Sequence, residues 1–151
     1  MNNIIPIANP QRELSKIPHF FDNFNKEFKS GIFVGGKNIE LLEDALSNFL
    51  QVKYCSTLNS GTDALILSLI ALDVGPGDEV IVPSFTYFAT VGAVLQVNAT
   101  PVFADIEKDS YCISLNTIKK LVTKKTKCII PVHLYGYDAD IKNIINFAKN
   151  N

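Results

Sequence analysis

The stretch NSGTDAL, residues 59–65, joins an extended segment to a strongly apolar one, and the rest of the chain is organised around it. Residues 53–58 before it are predicted to form a strand, and residues 62–72 after it a buried helix. Gly61 is expected where the backbone turns sharply, and Ser60 or Thr62 can cap the helix by accepting a backbone N–H. A helix start gathers N–H groups and the positive end of the helix dipole, so it predicts an anion site. The anion is interpreted as a cofactor phosphate, with a plain capped strand-to-helix junction as the alternative.

Strand and helix patterns alternate through the rest of the chain. The predicted strands are 53–58, 79–83, 101–106 and 127–132, and the last is weakened by Pro131, which cannot donate to a ladder. The predicted helices are 62–72, 86–97, one marked by apolar residues from 115 to 122 with Ser114 as cap, and one over 141–148 with Asp138 or Asp140 as cap. This alternation predicts an α/β fold of three layers, α/β/α, with a mostly parallel sheet and right-handed crossovers.

The first fifty residues follow a different pattern. Residues 1–12 are predicted to be extended, and phenylalanines at helical spacing predict a helix from Phe20 to about Ser30. A glycine-bracketed loop at 31–36 precedes a second helix, which starts near Ile39 and carries a one-sided apolar stripe. We therefore expect residues 1–50 to form an arm with two helices and residues 51–151 to form the alternating β/α part of a single partial domain.

Composition excludes several classes of function. Fourteen basic and fifteen acidic residues leave no broad positive footprint for nucleic acid. The longest apolar run, residues 64–72, is too short to span a membrane, and the N-terminus lacks the pattern of a signal peptide. The three cysteines (Cys55, Cys112 and Cys128) lack metal-ligand spacing, so reduced thiols in a cytoplasmic protein are expected.

Candidate site residues gather at one edge of the predicted sheet, because the carboxyl ends of parallel strands lie together and ligands bind there. That edge receives Ser60-Gly61-Thr62, Tyr87, Asp105 and His133. Tyr87 is interpreted as a ring that stacks on a cofactor, with simple packing as the alternative. Asp105 is expected in a turn or cap, and His133 as a core histidine with a backbone partner. No catalytic residue and no metal ligand is assigned.

Motifs in the same order and spacing as in a known family run from about residue 30 to residue 145. They are GxFVxG at 31–36 with Leu42-Glu43, NSGTDAL at 59–65, GxGDEVI at 75–81, PSFTYxAT at 83–90, PVFxD at 101–105 and TKxIIPVHLYG at 126–136. The sequence resembles the nucleotide-sugar aminotransferases of the DegT/DnrJ/EryC/StrS family, which use pyridoxal 5'-phosphate. Asp138 departs from the family pattern, in which proline is usual at that position.

The resemblance implies the N-terminal part of an aspartate-aminotransferase-like large domain. It implies that Ser60, Gly61 and Thr62 hold the cofactor phosphate and that Tyr87 stacks on the pyridine ring. It also implies a keto-sugar nucleotide as substrate, an amino acid (usually glutamate) as donor, and a homodimer in the complete enzyme. The glycine loop at 31–36 resembles the segment near the sugar nucleotide and the partner subunit.

Two further expectations come from the resemblance. The aspartate that pairs with the pyridine nitrogen and the lysine that bonds to the cofactor come after residue 151, so this chain alone is not expected to catalyse the reaction. The strand at 127–132 is expected to be separated from those at 79–83 and 101–106 by a strand that follows residue 151. Alternatives are a truncated, non-catalytic chain that only folds or binds a partner, and a flavodoxin-like or dinucleotide-binding domain, which the missing glycine fingerprint disfavours.

Overall fold

The computed structural model describes residues 6 and 8–151 and contains, within them, seven helices and three strands. The helices are α1 (Pro10–Leu14), α2 (Phe20–Ser30), α3 (Lys37–Leu50), α4 (Gly61–Ala71), α5 (Ala89–Gln96), α6 (Leu115–Ile118) and α7 (Ile141–Lys149). The strands are β1 (Glu79–Pro83), β2 (Thr100–Ala104) and β3 (Thr126–Ile129). The chain divides into two compact units, Met1–Thr57 and Leu58–Asn151.

In the N-terminal unit, α2 and α3 form where the sequence predicts them. α2 ends at Gly31, whose φ of 73° is the left-handed conformation in which glycine terminates a helix. Phe20, Phe24 and Phe28 stack along α2, with ring centroids 6.4 and 6.2 Å apart. The expectation of extended structure over residues 1–12 is wrong for its last part, because Pro10 begins α1 with the Asn9 side chain as cap. The rest of that prediction falls largely on residues 1–5 and 7, outside the described residues.

The C-terminal unit is built on a parallel sheet of order β2-β1-β3. Side chains of β1 alternate between two cores, as the pleat of a strand requires. Val80 and Val82 pack with residues of α4 and α5, whereas Ile81 packs with residues of α6 and α7. Helices therefore cover both faces of the sheet, and the predicted three-layer α/β/α fold is confirmed.

The sheet differs from the prediction in the neighbour of β3. β3 pairs directly with β1, through Val80 with Cys128 and Ile81 with Ile129, so no strand is missing between them. The expectation of a gap at this position is wrong. The pairing continues one bond past β3, where the Ile130 N–H donates to the Ile81 carbonyl at 2.9 Å, and ends before Pro131. Proline cannot donate to a ladder, which accounts for the end of the strand before 132.

The predicted strand at 53–58 is also wrong. The segment forms no ladder with any described residue. A strand is defined by its neighbour as much as by its own residues, and here the Thr57 N–H instead donates to the Glu43 carboxylate at 2.7 Å. Cys55 accordingly lies in irregular structure, and the buried cysteine is Cys112.

Several helix boundaries differ by a few residues. α5 begins at Ala89 rather than at 86, which leaves Tyr87 in the loop that precedes the helix. α6 is a single turn, held at its start by a capping box in which the Ser114 and Thr117 side chains each bond the other's backbone. α4 was predicted to be buried, but only Leu69 is, and Ile70 is 56% exposed. None of the helices among the described residues has the length and apolar character to cross a bilayer.

Candidate cofactor site

The start of α4 is shaped by Ser60, which caps the helix as predicted. Its backbone is extended (φ −152°, ψ 155°), and its Oγ accepts the Asp63 N–H at 3.1 Å. The Ser60 hydroxyl in turn donates to the Asp63 carboxylate at 2.8 Å. Both hydrogen-bonding functions of the Ser60 side chain are thus used within the turn. Ser60 therefore stabilises the conformation of the helix start, and its hydroxyl is already hydrogen-bonded to Asp63 in the absence of a ligand.

The next two residues present free donors. Within the described part of the chain, the backbone N–H groups of Gly61 and Thr62 bond no acceptor, as expected of the first residues of a helix. A Cβ at Gly61 would meet no protein atom within 4 Å, and the backbone there lies outside the left-handed region. Packing therefore does not require glycine at this position. Because glycine has no side chain, the N–H groups of Gly61 and Thr62 are left accessible to an anion.

Thr62 and Tyr87 line the same open cavity. Its volume is about 450 Å³, and it lies between the first half of α4 on one side and α5 with the loop before it on the other. Tyr87 is 79% exposed, which leaves its ring free to cover a flat ligand. The remaining lining is mostly apolar. One cavity thus contains both the helix start that can bind an anion and the ring that can stack on a heterocycle. The sequence predicts only that these two features lie at the same edge of the sheet.

The two other residues predicted at this edge have local partners. Asp105 accepts the N–H of Ile106 at 2.8 Å, in agreement with its expected place in a turn. His133 accepts the Ala139 N–H on Nδ1 at 2.9 Å, so its predicted backbone partner exists. Its side chain is nevertheless 52% exposed, so the expectation of a core histidine is wrong.

Charges around the cavity are few. The Asp63 carboxylate is in the first turn of α4, where it interacts favourably with the helix dipole but would repel an anion bound at the same end. Its bond to Ser60 reduces this conflict by sharing the charge with a donor. In the described part of the chain, the lining of the cavity includes no lysine. Among the described residues, no cluster of histidine, cysteine, aspartate and glutamate has the geometry of a metal site.

A second, larger cavity of about 610 Å³ lies in the N-terminal unit, around α1 and the start of α2. Its lining includes His19 and Asp22, which are 3.5 Å apart and largely exposed. The start of α2 and the exposed ring of Phe21 also line this cavity. The smaller cavity is the better candidate for a phosphate-bearing heterocycle because it contains Thr62 and Tyr87, the residues predicted to bind one.

Two features of the chain were missed by the sequence prediction. Asp63 completes the cap of Ser60, and the S-x-x-D spacing is a signal that could have shown it. The Glu43 carboxylate holds Thr57 through its N–H and, at 3.0 Å, its hydroxyl, and these bonds lower the pKa of Glu43. The Thr57 N–H is the larger cause. The fourteen-residue separation gives no local pattern from which this contact could be predicted.

Comparison with known proteins decides the family. The profile of the DegT/DnrJ/EryC1/StrS aminotransferase family matches residues 16–151. The chain belongs to this family. The chain is 40% identical over 149 residues to a UDP-N-acetyl-3-dehydro-alpha-D-glucosamine 3-aminotransferase of Acidithiobacillus ferrooxidans, a match that covers 98% of this chain and 40% of the relative. The chain thus spans less than half the length of this curated relative.

Solved structures of the family agree with the fold. The S. venezuelae protein DesV, solved in complex with a ketimine intermediate, superposes with a TM-score of 0.90 and 33% identity over 97% of this chain and 40% of its own. The Bacillus subtilis protein NtdA, solved with bound cofactor PMP, gives a TM-score of 0.85 and 35% identity over 95% of this chain and 32% of its own. The aspartate-aminotransferase-like fold is therefore confirmed, and pyridoxal phosphate is the cofactor of the DegT/DnrJ/EryC1/StrS family.

Proposed function

We propose that this chain is the N-terminal part of a pyridoxal-phosphate-dependent aminotransferase that moves an amino group from an amino acid, glutamate, to a keto-sugar nucleotide. The observation that carries the proposal is the cavity shared by Thr62 and Tyr87 at the start of α4. Relatives whose names specify an aminotransferase acting on a nucleotide-linked oxo sugar support the substrate class.

The residues of the cavity fit the cofactor. The N–H groups of Gly61 and Thr62, with the Thr62 hydroxyl, would bind the phosphate, and Ser60 would hold the turn that presents them. The exposed Tyr87 ring would cover one face of the pyridine ring. Pyridoxal phosphate supplies the electron sink that lets an amino group pass between two carbonyl compounds. The part of the site described here binds and orients the cofactor, and no side chain in it is assigned a proton transfer.

We also propose that the 151-residue chain does not transfer amino groups by itself. None of the described residues that line the cavity is a lysine, and an amino group is needed there to attach the cofactor covalently. The complete enzyme is expected to be a cytoplasmic homodimer, with no nucleic-acid or membrane partner. A non-catalytic chain that only folds or binds a partner is the competing possibility, and cofactor binding distinguishes the two.

Gly61→Ala tests the phosphate site, because the protein has room for the new methyl group. We expect the variant to fold at least as stably as the wild type, since alanine is favoured in helices by about 0.5–1 kcal/mol. We expect pyridoxal phosphate to bind more weakly, because the methyl group would occupy part of the open space at the start of α4. Thr62→Ala should add to this loss, each charge-assisted contact contributing about 1.5–3 kcal/mol. The measurement is cofactor retention by absorbance after dialysis, with a thermal melt of each variant.

Gly75→Ala is the matched control, since Gly75 also lacks a left-handed backbone and lies outside the cavity. It should leave cofactor binding unchanged. Tyr87→Phe and Tyr87→Ala separate ring from hydroxyl: the first should be nearly silent, and the second should cost about 0.5–1.5 kcal/mol beyond the lost contact area. If Gly61→Ala and Thr62→Ala bind the cofactor as well as the wild type does, the proposed site is wrong.

A further inference from the structure

The segment that leads into α4, residues 53–59, has one anchor in the described part of the chain. It forms no ladder with the described residues, and most of its side chains are exposed, Tyr54 by 78% and Leu58 by 44%. Among the hydrogen bonds of the described residues, the only ones that hold this segment run from Thr57 to Glu43. Without them the segment would keep much of its conformational freedom, because neither a ladder nor burial restricts it.

A single oxygen of the Glu43 carboxylate makes both bonds of this anchor. Its Oε1 atom accepts the Thr57 N–H at 2.7 Å and the Thr57 hydroxyl at 3.0 Å. Because one bond goes to the backbone and the other to the side chain, together they fix both the position and the orientation of Thr57. Both donors stabilise the charged carboxylate and lower the pKa of Glu43, the N–H being the larger cause, so the bonds are charge-assisted at neutral pH.

Thr57 lies three residues before the cap of α4. Three residues span at most about 11 Å of extended chain, so the position of Thr57 limits where Ser60 can lie. The Ser60 Oγ holds the Asp63 N–H, and Gly61 and Thr62 between them carry the N–H groups that are accessible to an anion. Such a helix start binds an anion more tightly when its donors are ordered beforehand, because less conformational entropy is then lost on binding.

We propose that Glu43 is a positioning residue for the anion-binding start of α4. It acts through Thr57: the carboxylate fixes the residue from which the chain enters Ser60, and the N–H groups of Gly61 and Thr62 are thereby held in a conformation that fits a phosphate. Glu43 does not touch the anion in this role. That the anion is the phosphate of pyridoxal phosphate rests on the proposed function, whereas the ordering of the helix start is independent of it.

Amide hydrogen exchange on the 151-residue chain without ligand tests this ordering. The reporter is the Asp63 N–H, which is bonded to the Ser60 Oγ in the folded chain. Glu43→Ala should speed exchange at Asp63 about fivefold or more and leave the amides of β1 unchanged, because the loss of order is local. Unchanged exchange at Asp63 would overturn the proposal. An equal rise in β1 would also overturn it, because Glu43 would then act only on global stability.

Conservative variants separate the contact from the charge. Glu43→Gln keeps an oxygen that can accept both Thr57 donors, so exchange at Asp63 should stay within about twofold of the wild type. Glu43→Asp keeps the charge but is one methylene shorter, and it should lose at least one bond and resemble Glu43→Ala. If aspartate restores slow exchange and glutamine does not, the charge rather than the contact is responsible and the proposal is wrong.

Glu40→Ala is the matched control for these variants. Glu40 also lies in α3 and carries the same charge, but it does not bond Thr57. Its removal should leave exchange at Asp63 unchanged. If Glu40→Ala speeds this exchange as much as Glu43→Ala does, any loss of charge from α3 has the same effect and the positioning role is wrong.

Cofactor binding is then measured on the same samples by equilibrium dialysis with pyridoxal phosphate. We expect Glu43→Ala to bind it about fivefold more weakly than the wild type, and Glu43→Gln to bind it within about twofold. Glu40→Ala should bind it as the wild type does. Unchanged affinity in Glu43→Ala, despite faster exchange at Asp63, would overturn the role of Glu43 in phosphate binding.

The positioning role and the proposed function fail separately in these measurements. If pyridoxal phosphate binds and depends on Thr62, but neither its affinity nor the exchange at Asp63 depends on Glu43, the positioning role is wrong and the proposed function stands. If pyridoxal phosphate does not bind the wild type, while Glu43→Ala speeds exchange at Asp63 and Glu43→Gln restores it, the proposed function is wrong and the ordering of the helix start by Glu43 stands.

Discussion

Both units of the chain contain helices, but the two units differ greatly in how many of their side chains are buried. In the described part of the N-terminal unit, α1, α2 and α3 bury no residue, and Phe21 and Phe28 on α2 are 67% and 61% exposed. In the C-terminal unit, β1 is buried on both faces, with Val80, Ile81 and Val82 fully inaccessible. Local sequence patterns suffice to set helices, whereas burial needs partners on the other side of each apolar stripe. Stability should therefore depend on the C-terminal unit far more than on the N-terminal one.

The largest effect that tests this comparison is a matched pair of isoleucine truncations. Ile81→Ala removes a fully buried side chain from the central strand and should destabilise the C-terminal unit by about 2–5 kcal/mol. Ile39→Ala removes a side chain that is 39% exposed in α3, and should cost less than about 1 kcal/mol because alanine also favours the helix. Urea unfolding followed by circular dichroism measures both. Equal costs would mean that the two units are stabilised in the same way.

A smaller effect concerns helix capping in the C-terminal unit. Ser60→Ala removes the acceptor for the Asp63 N–H and should cost about 1 kcal/mol. Ser47→Ala in α3 is the control in the other unit, since Ser47 only donates to the Asp44 carbonyl within the helix, and its loss should stay within about 0.5 kcal/mol. The comparison is made by thermal unfolding of both variants. A greater loss at Ser47 than at Ser60 would contradict the role of the cap.

The fold was predictable from the sequence where the pattern is local. The period of apolar residues located α2, α3, α4 and α7 to within a few residues, and the alternating elements gave the parallel three-layer class. What the pattern could not give is which strands are neighbours. Residues 53–58 have the character of a strand but form no ladder with the described residues, and β3 lies beside β1 although the expected order separated them. Strand order depends on contacts distant in sequence, which no window of residues contains.

The candidate site was predictable to a similar degree. The cap at Ser60 and the helix start at Gly61 follow from residue type and position, and the structure has both. The shared cavity of Thr62 and Tyr87 depends on the packing of α4 against α5, and only their common sheet edge could be predicted from the sequence. His133 was expected in the core, with a backbone partner. Its loop instead turns at Tyr135 and Gly136, and half of its ring remains exposed.

The smallest expected effect tests the one long-range tether described in the N-terminal unit, the bond from Glu43 to Thr57. Both Thr57 donors stabilise the charged carboxylate, so the pKa of Glu43 is lowered in the folded chain. A lowered folded pKa adds stability above the ordinary carboxyl pKa of about 4.3, and this contribution disappears as the pH falls through the lower folded value. Glu43→Gln can still accept both bonds but carries no charge. We therefore expect the wild type to melt slightly higher than this variant at neutral pH, and the two melting temperatures to converge in acid.

Thr57→Val is the control for this tether, because it removes the hydroxyl and keeps the N–H, which is the larger cause of the pKa shift. The difference between wild type and Glu43→Gln should shrink in the Thr57→Val background and should not vanish, since the backbone donor remains. Melting temperatures at several pH values in the four chains form a double-mutant cycle that isolates the contact. A difference between wild type and Glu43→Gln that stays constant down to strongly acidic pH would show that the charge of Glu43 contributes nothing. The exposed helices of the N-terminal unit would then be stabilised by local interactions alone.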